Sequence, residues 1–574
     1  MANFSERFLF FSTQPRNPKL FPKVIRVIQS SGLDGKEYNE KLQSKFYDEY
    51  SKLKITEQKS GKAKDKEFAG RQLLTRAPQA LGLIISRKKE KLKVTEAGKL
   101  IVEDSLFEDV LLHQLLKFQL PSPLHRETKK NKGRFNIKPF LELLRLIDTL
   151  GYLTYQELTI FGMTLTDYRN FDKTVNRVRE YRKKRDSIRG HQSLRKFSSD
   201  EQEAIFYKLY KDQIDAGDIN TRESKTSTTK SFMKKKTSNW GDYTDSIFRS
   251  LHATGLLVMS KGRTLSISDS RKDEVRFILK SVNRNIVSAE TSREKFDQYI
   301  TNPNIPILLS DNKSVLISQL DEYRVDYNEY DTLYNLKKKL YKARELQRSQ
   351  RVEEIANELK QRNFKDIEDI LTTYDQISSK EIVDRPMMFE WNTWRAMSMI
   401  DHGEIKGNFK PDDNGMPIST ASGDNGSNVG QGDIVGDYGK FKIVVEVTLS
   451  SGKRQYDMES EPVTRHVGEQ QANSNVPVFG LFIADKLNDT VIDYFYKSNL
   501  INSSVYKGHI DVIPMSTDTF KEFFRKASSQ EVQPETLFKI HEYSTRRAKE
   551  AMINDETETE WHMDVINHMM SIIR

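Results

Sequence analysis

The chain has 574 residues, no cysteine, and a formal charge of +10 from 92 Lys and Arg against 82 Asp and Glu. That length exceeds a single core and implies roughly three or four domains. The missing cysteines exclude disulfides, thiolate-bound zinc and a cysteine nucleophile, and fit a reducing, cytoplasmic setting. No apolar run reaches the roughly 20 residues that a membrane span needs, and the N-terminal "RFLFF" is too short and wrongly flanked for a signal peptide, so a soluble protein with no membrane partner is expected.

In chain order, the first half is basic. "RKKEKLK" (87–93), "RETKKNKGR" (126–134), "YRKKR" (181–185) and "KKK" (234–236) crowd into it, while the acidic "NDETETE" (554–560) lies at the other end. Such runs often only solvate a face, but their concentration in one half points to a polyanion, with nucleic acid first among candidates. Residues 67–103 read as helix, strand, basic turn, strand, and a helix capped at Thr95, the order of a winged helix-turn-helix. Residues 136–165 carry Leu141, Leu144 and Ile147 at helical spacing, then Thr154 capping a second helix with Glu157 at the capping-box position. Residues 240–268 repeat the theme with a helix, a stop at Gly255, a strand, a "KGR" turn and another strand. Alone, each could be an ordinary helix-hairpin packing piece; together they predict a DNA-recognition domain over residues 1–283 built of helical, winged-helix-like units. A recognition helix needs polar side chains to reach base edges, with basic ones beside them for phosphates. Arg71, Gln72, Arg76 and Gln79 meet that description in the first unit, and Arg249 and His252 in the third. The polar, basic stretch 223–240 predicts a loop, either ordering on DNA or simply connecting.

Residues 284–386 are charge-rich with helical apolar spacing, and predict a helical linker domain. From 387 to 574 strands alternate with helices, which predicts a small α/β layer structure and makes the whole a multidomain α+β chain. Within it, "KFKIVVEVTLSSGK" (440–453) places Glu446 in a β-branched run. Strand period sets Lys442, Val444, Glu446 and Thr448 on one face and Ile443, Val445, Val447 and Leu449 on the other. An edge strand showing a polar face to water explains this; so does a carboxylate with a ligand. Asp433 precedes it at the head of the neighbouring strand, so the two could share one end of a sheet. Mg2+, which prefers hard oxygen donors, suits such a pair because bare carboxylates side by side repel.

"EVTLSSGKRQYDMESEPVTRH" (446–466) resembles the catalytic stretch of the AlwI-type group of type IIS restriction endonucleases and their nicking relatives, within the PD-(D/E)XK nuclease superfamily. The similarity extends to "FEWNTW" (389–394), "VTEAGKLI" (94–101) and "PRNPK" (15–19), and so spans most of the chain. It implies catalytic roles for Glu390, Asp433, Glu446, Glu459 and His466, with Asp433 and Glu446 as Mg2+ ligands. Blander readings exist: an exposed helix glutamate for Glu390, a place just ahead of a helix start near Ser460 to Pro462 for Glu459, and a structural histidine for His466. The sequence departs from the motif at Thr448, where a lysine is expected, and at Gly432, which precedes Asp433 in place of proline after the Gly/Asn-rich loop 419–432. Lys453, Glu459, His466 or water on the ion remain open as general base. The resemblance implies an endonuclease that binds a short asymmetric duplex sequence and hydrolyses phosphodiester bonds at a fixed distance outside it, acting as a transient homodimer or with a small second nuclease subunit. A strand-specific nicking enzyme, the large subunit of a heterodimer, a non-catalytic DNA-binding regulator and a transposase-like protein are the alternatives.

Overall fold

The computed structural model describes every residue except 1, 54–64, 221–227, 261–262, 383, 401–402, 421–431, 530–531 and 574. Two compact units result: Met1–Gln347 with Asp412–Asn414, and Arg348–Pro411 with Gly415–Arg574.

In the first unit, α1 (Lys66–Thr75) starts where Asp65 accepts from the Phe68 amide at 2.8 Å. The strands β1 (Ile84–Ile85) and β2 (Lys93–Val94) pair antiparallel, and α2 (Glu96–Leu100) is capped by Thr95, which accepts from the Gly98 amide at 3.1 Å. This matches the order expected for residues 67–103. Next, α3 (Pro139–Leu150) buries Leu141, Leu144 and Ile147. After it come β3 (Leu153–Thr154) and α4 (Tyr155–Ile160), whose capping box between Thr154 and Glu157 is complete. Long helices α5 (Phe171–Asp186), α6 (His191–Asp215) and α7 (Thr229–His252) lead to the hairpin β4 (Leu257–Ser260) and β5 (Thr264–Ile267).

Two expectations are corrected here. The second and third units are one piece, because β3 pairs with β5 in a sheet of order β3-β5-β4. And 229–240 is helix rather than loop; residues 223–227 of that stretch, like Lys261 and Gly262 of the "KGR" turn, lie outside the described residues. The helix holds because two aromatic anchors outweigh its polar majority: Phe232 packs on Phe206 and Tyr210 of α6, and Trp240 stacks on Phe8 and donates to the Thr159 carbonyl at 2.8 Å.

Residues 284–386 do not form a body of their own. Helix α8 (Lys313–Glu322) and the first part of α9 (Leu333–Leu359) join Leu316, Leu320, Leu336 and Leu340 in one cluster of the first unit. The division at 347/348 falls inside α9, and α10 (Phe364–Ser378) belongs to the second unit, where Tyr374 packs on Phe389 and Phe520 and donates to Thr393 at 2.9 Å. A charge-rich helical stretch reads as a separate linker only while the cores that take its apolar faces are unseen.

The second unit is built on a five-stranded sheet flanked by helices, opened by α11 (Arg385–Ile400). The strands β6 (Glu404–Gly407), β7 (Ile434–Asp437) and β8 (Lys442–Thr448) run antiparallel in sequence. Then α12 (Lys453–Ala472) crosses to β9 (Val478–Ala484), and α13 (Asp489–Leu500) to β10 (Val512–Ser516), both parallel to β8. The order β10-β9-β8-β7-β6 sets β8 in the middle. Its Val444 meets Val463 and Val467 of α12 on one face, and Val445 is equally buried on the other. The edge-strand reading of Glu446 is therefore replaced: β8 has no solvent face to show. Three more helices, α14 (Thr517–Ser528), α15 (Pro534–Ile553) and α16 (Glu558–Ile572), complete the unit. No helix among the described residues is long and apolar enough to cross a membrane.

Candidate active site

Strand β8 and helix α12 meet in register. On the face of β8 covered by α12, Glu446 Oε1 lies 2.6 Å from His466 Nδ1, and Thr448 Oγ1 donates to Glu459 Oε1 at 2.7 Å. Alternate strand residues thus match helix residues two turns apart, which share one face of α12. Asp433 arrives from the other side: the pairing of Ile434 with Val445 puts the residue before β7 next to Glu446, and its Oδ2 accepts from the Val447 amide at 2.9 Å. Glu390, on α11, has a buried Oε2 with no hydrogen-bond partner.

Burial and mutual repulsion dominate the electrostatics. Glu446 is only 8% exposed, and its carboxyl is pushed up to about 8, first by burial and then by Glu459. Burial and Glu446 push Asp433 well above the usual carboxylate range, although the Val447 N–H bond opposes the shift. Glu390 is raised likewise by burial, then by Asp433 and Glu446. The His466 imidazole is held below its ordinary value by burial and by Arg465. Arg465 and His466 oppose these shifts only weakly, so such a set retains protons. With Glu446 protonated, His466 Nδ1 accepts from it; with Glu446 ionised, a protonated Nδ1 donates.

These residues fit a hard divalent cation. Every carboxylate donor is oxygen, one carboxylate oxygen is orphaned in the interior, and each acid raises its neighbours in a way that a cation would relieve. Another cluster, in the first unit, has the tighter geometry: ligand atoms of Asp109, His113 and Asp311 all lie within 4.8 Å of one another. There, however, Lys337 Nζ sits 2.7 Å from Asp109 and 2.8 Å from Asp311, so an ammonium already supplies the positive charge. It is an internal ion-pair network.

The blander readings of the site residues are corrected. Glu390 is half-buried, not an exposed helix residue. Glu459 is inside α12 rather than ahead of it, because the helix starts at Lys453 and runs through Pro462, held by buried Val463 and Val467. The motif's missing proline also has a cause: a Cβ at Gly432 would collide with Val444 and lie 3.2 Å from Glu446 Oε1. Residues 421–431 of the preceding Gly/Asn-rich loop lie outside the described residues. Lys453 is exposed at the first position of α12. What the sequence reading missed is the Thr448–Glu459 bond; the only signal was Thr448 itself, standing where a lysine was expected.

The six expected DNA-contacting residues fare differently. Arg71 is exposed on α1, its guanidinium 5.3 Å from the Phe68 ring. Arg76 Nε donates to Gln72 at 2.5 Å, and Gln79 exchanges bonds with Ser86 beyond β1, so these three brace the first unit's helix and hairpin. Arg249 pairs with Asp245 at 2.9 Å. His252 is 3% exposed and bonded to Asp412 at 2.8 Å, which corrects its assignment, because a buried imidazole cannot reach a base edge. Exposed Lys230, Lys234 and Ser238, four residues apart on α7, form a polar, basic face instead.

Fold and site define a mixed α+β protein with a cluster of carboxylates around a buried glutamate on its central strand. The AlwI restriction endonuclease family model matches residues 79–523, most of the chain, and the chain belongs to that family. It is thus a restriction enzyme, a hydrolase that cleaves DNA. Among solved structures, the small subunit (R.BspD6I2) of the heterodimeric restriction endonuclease R.BspD6I is 24% identical, covering 36% of this chain and 100% of that one at a TM-score of 0.29. The BpuJ1 endonuclease binding domain, solved with pyrene- and phenanthrene-modified DNA, is 12% identical, covering 49% of this chain and 92% of that one at a TM-score of 0.32. No curated protein matches.

Proposed function

We propose that the protein is a type IIS endonuclease of the PD-(D/E)XK kind: the first unit reads a short asymmetric duplex sequence, and the second hydrolyses a phosphodiester at a fixed distance outside it. The observation that carries this reading is the convergence of Asp433, Glu446, Glu459 and His466 on β8, with an orphaned Glu390 oxygen beside them. Asp433 and Glu446 would hold Mg2+. When bound, the ion supplies Lewis acidity and neutralises charge developing on the phosphate. The chain's own parts are distinct: the Val447 amide fixes Asp433, and His466 Nδ1 is placed to take the proton from Glu446 Oε1.

For recognition, the β3-β5-β4 sheet, with α4 following β3 and α7 leading into the β4–β5 hairpin, supports a winged-helix reading. Exposed Arg71 and the lysine face of α7 supply the contacts to DNA in this reading, the lysines to phosphates. One such site cuts one strand. A transient homodimer or a small second subunit would complete a double-strand break, and the chain alone would nick.

Incubation with duplex DNA and Mg2+, followed by mapping of 5′ ends on both strands, tests the whole reading. Cuts at a constant offset from one asymmetric sequence are expected. Glu446→Gln should lower the cleavage rate about a thousandfold, the effect of losing several kcal/mol of transition-state stabilisation, while specific binding persists. Tight specific binding without cleavage by the unaltered protein would favour a regulator, joined strands would favour a transposase-like reaction, and normal cutting by the variant would overturn the site.

A further inference from the structure

A lysine at position 448 would bring an ammonium to the carboxylates; the chain has a threonine there. The surroundings of Thr448 define what it does. Its hydroxyl oxygen accepts from the Ser450 amide at 3.0 Å, which leaves its own proton free to point elsewhere, and that proton goes to Glu459 Oε1 at 2.7 Å. Thr448 is 8% exposed, so this bond to a carboxylate is shielded from competing water. Its backbone is locked in the seven-residue ladder between β8 and β9, opposite Ala484. On the helix side, Ser460 and Val463 are buried beside Glu459, so the turn of α12 that carries it is fixed as well. A rigid strand and a rigid helix turn are joined by one charge-assisted hydrogen bond. At the other end of the same face, His466 meets Glu446.

We propose that Thr448 is a positioning residue: its hydroxyl holds Glu459 beside Glu446, so that β8 presents a third carboxylate where the motif would otherwise place a lysine. This rests on the cleavage-site reading above. The consequence is a more anionic site, with no lysine at position 448 to offset its carboxylates. Glu459 is near enough to raise the Glu446 carboxyl, second only to burial, and adds to the shifts of Asp433 and Glu390. An acid on a surface turn of α12, swinging between rotamers, would bind a cation only after losing side-chain freedom; one already bonded to Thr448 has lost it beforehand.

The full chain is titrated with Mn2+ in the absence of DNA, by calorimetry, as wild type, Thr448→Val, Thr448→Ser, Glu459→Gln and the Thr448→Val/Glu459→Gln pair. Valine keeps the shape and removes the donor; serine keeps the donor. Thr448→Val should weaken Mn2+ binding about tenfold, the scale of one hydrogen bond to a charged group, and raise by a similar factor the Mg2+ needed for half-maximal cleavage. Thr448→Ser should return to within about twofold of wild type, and Thr448→Val should add little on the Glu459→Gln background, since both remove one interaction. Wild-type Mn2+ affinity in Thr448→Val, equal impairment of the serine and valine variants, or additive losses in the pair would each overturn the proposal. Glu446→Gln separates the two levels: if it also binds Mn2+ and cuts normally, the cleavage site itself is misassigned, whereas its failure beside an unaffected Thr448→Val sinks only the positioning role.

Discussion

At Gly432 a single missing methyl decides the packing of the site. A Cβ there would strike Val444, a fully buried residue of the β8 core, and crowd Glu446 Oε1. Neither neighbour can give way easily, because Val444 is wedged among Val463, Val467 and Phe482, and Glu446 is tied to His466. Gly432→Ala should therefore cost about 1–3 kcal/mol as overpacking, read as a lower denaturation midpoint, and should slow cleavage more than it weakens DNA binding. Unchanged stability together with unchanged cleavage would mean that the chain before β7 simply shifts aside. The same residues show how far the sequence could be read. Asp433 and Glu446 were legible, the latter because a carboxylate inside a β-branched run needs an explanation. Glu459 was misplaced relative to its helix because Pro462 mimics a helix start, whereas α12 absorbs the proline within its length.

At the scale of the element, Glu157 ties three segments together. Its carboxylate receives the Thr154 amide at 3.0 Å, closing the capping box of α4, and takes Arg182 at 2.8 Å and Arg185 at 3.0 Å from α5. The carboxylate is wholly buried, so the two guanidinium groups provide its compensation. Glu157→Ala removes the acceptor both arginines share, leaving Arg182 the Leu150 and Tyr152 carbonyls and Arg185 the Asp186 carboxylate, and should destabilise the first unit by roughly 3 kcal/mol. Trp240 donates to Thr159 on α4, so its fluorescence reports that unfolding. A loss below about 1 kcal/mol would mean the pair is screened like a surface bridge. The capping box was legible because its signal spans four residues. The arginine partners and the β3–β5 pairing were not, since they join positions far apart in the chain and nothing local marks them. Helix α7 failed for another reason: Phe232 and Trp240 are sparse, and only the α6 aromatics and Phe8 that receive them make a helix there favourable.

Across the whole molecule, the raised carboxyls make the stability of the cation-free protein depend on pH in an unusual direction. Glu446 has an ordinary value of 4.5 and stands at about 8 when folded; Asp433 and Glu390 are shifted the same way. Between those two pH values the folded state binds more of this proton than the unfolded one, so the contribution of Glu446 to the free energy of unfolding falls as pH rises. The contribution of Glu446 is complete below pH 4.5 and is lost by the time pH passes about 8. Most proteins gain stability from paired carboxylates over part of this range, so the site's signature is best read as a difference. Wild type minus Glu446→Gln, each in EDTA, should show wild type losing ground steadily from pH 5 to pH 8, because the glutamine cannot ionise. Adding Mg2+ should reverse the trend, stabilising wild type most at pH 8, where binding the ion displaces the fewest protons, and Glu446→Gln least. Parallel pH profiles for the two proteins in EDTA would mean that Glu446 ionises freely in the fold, and that its neighbours are not crowded as the geometry of β8 requires.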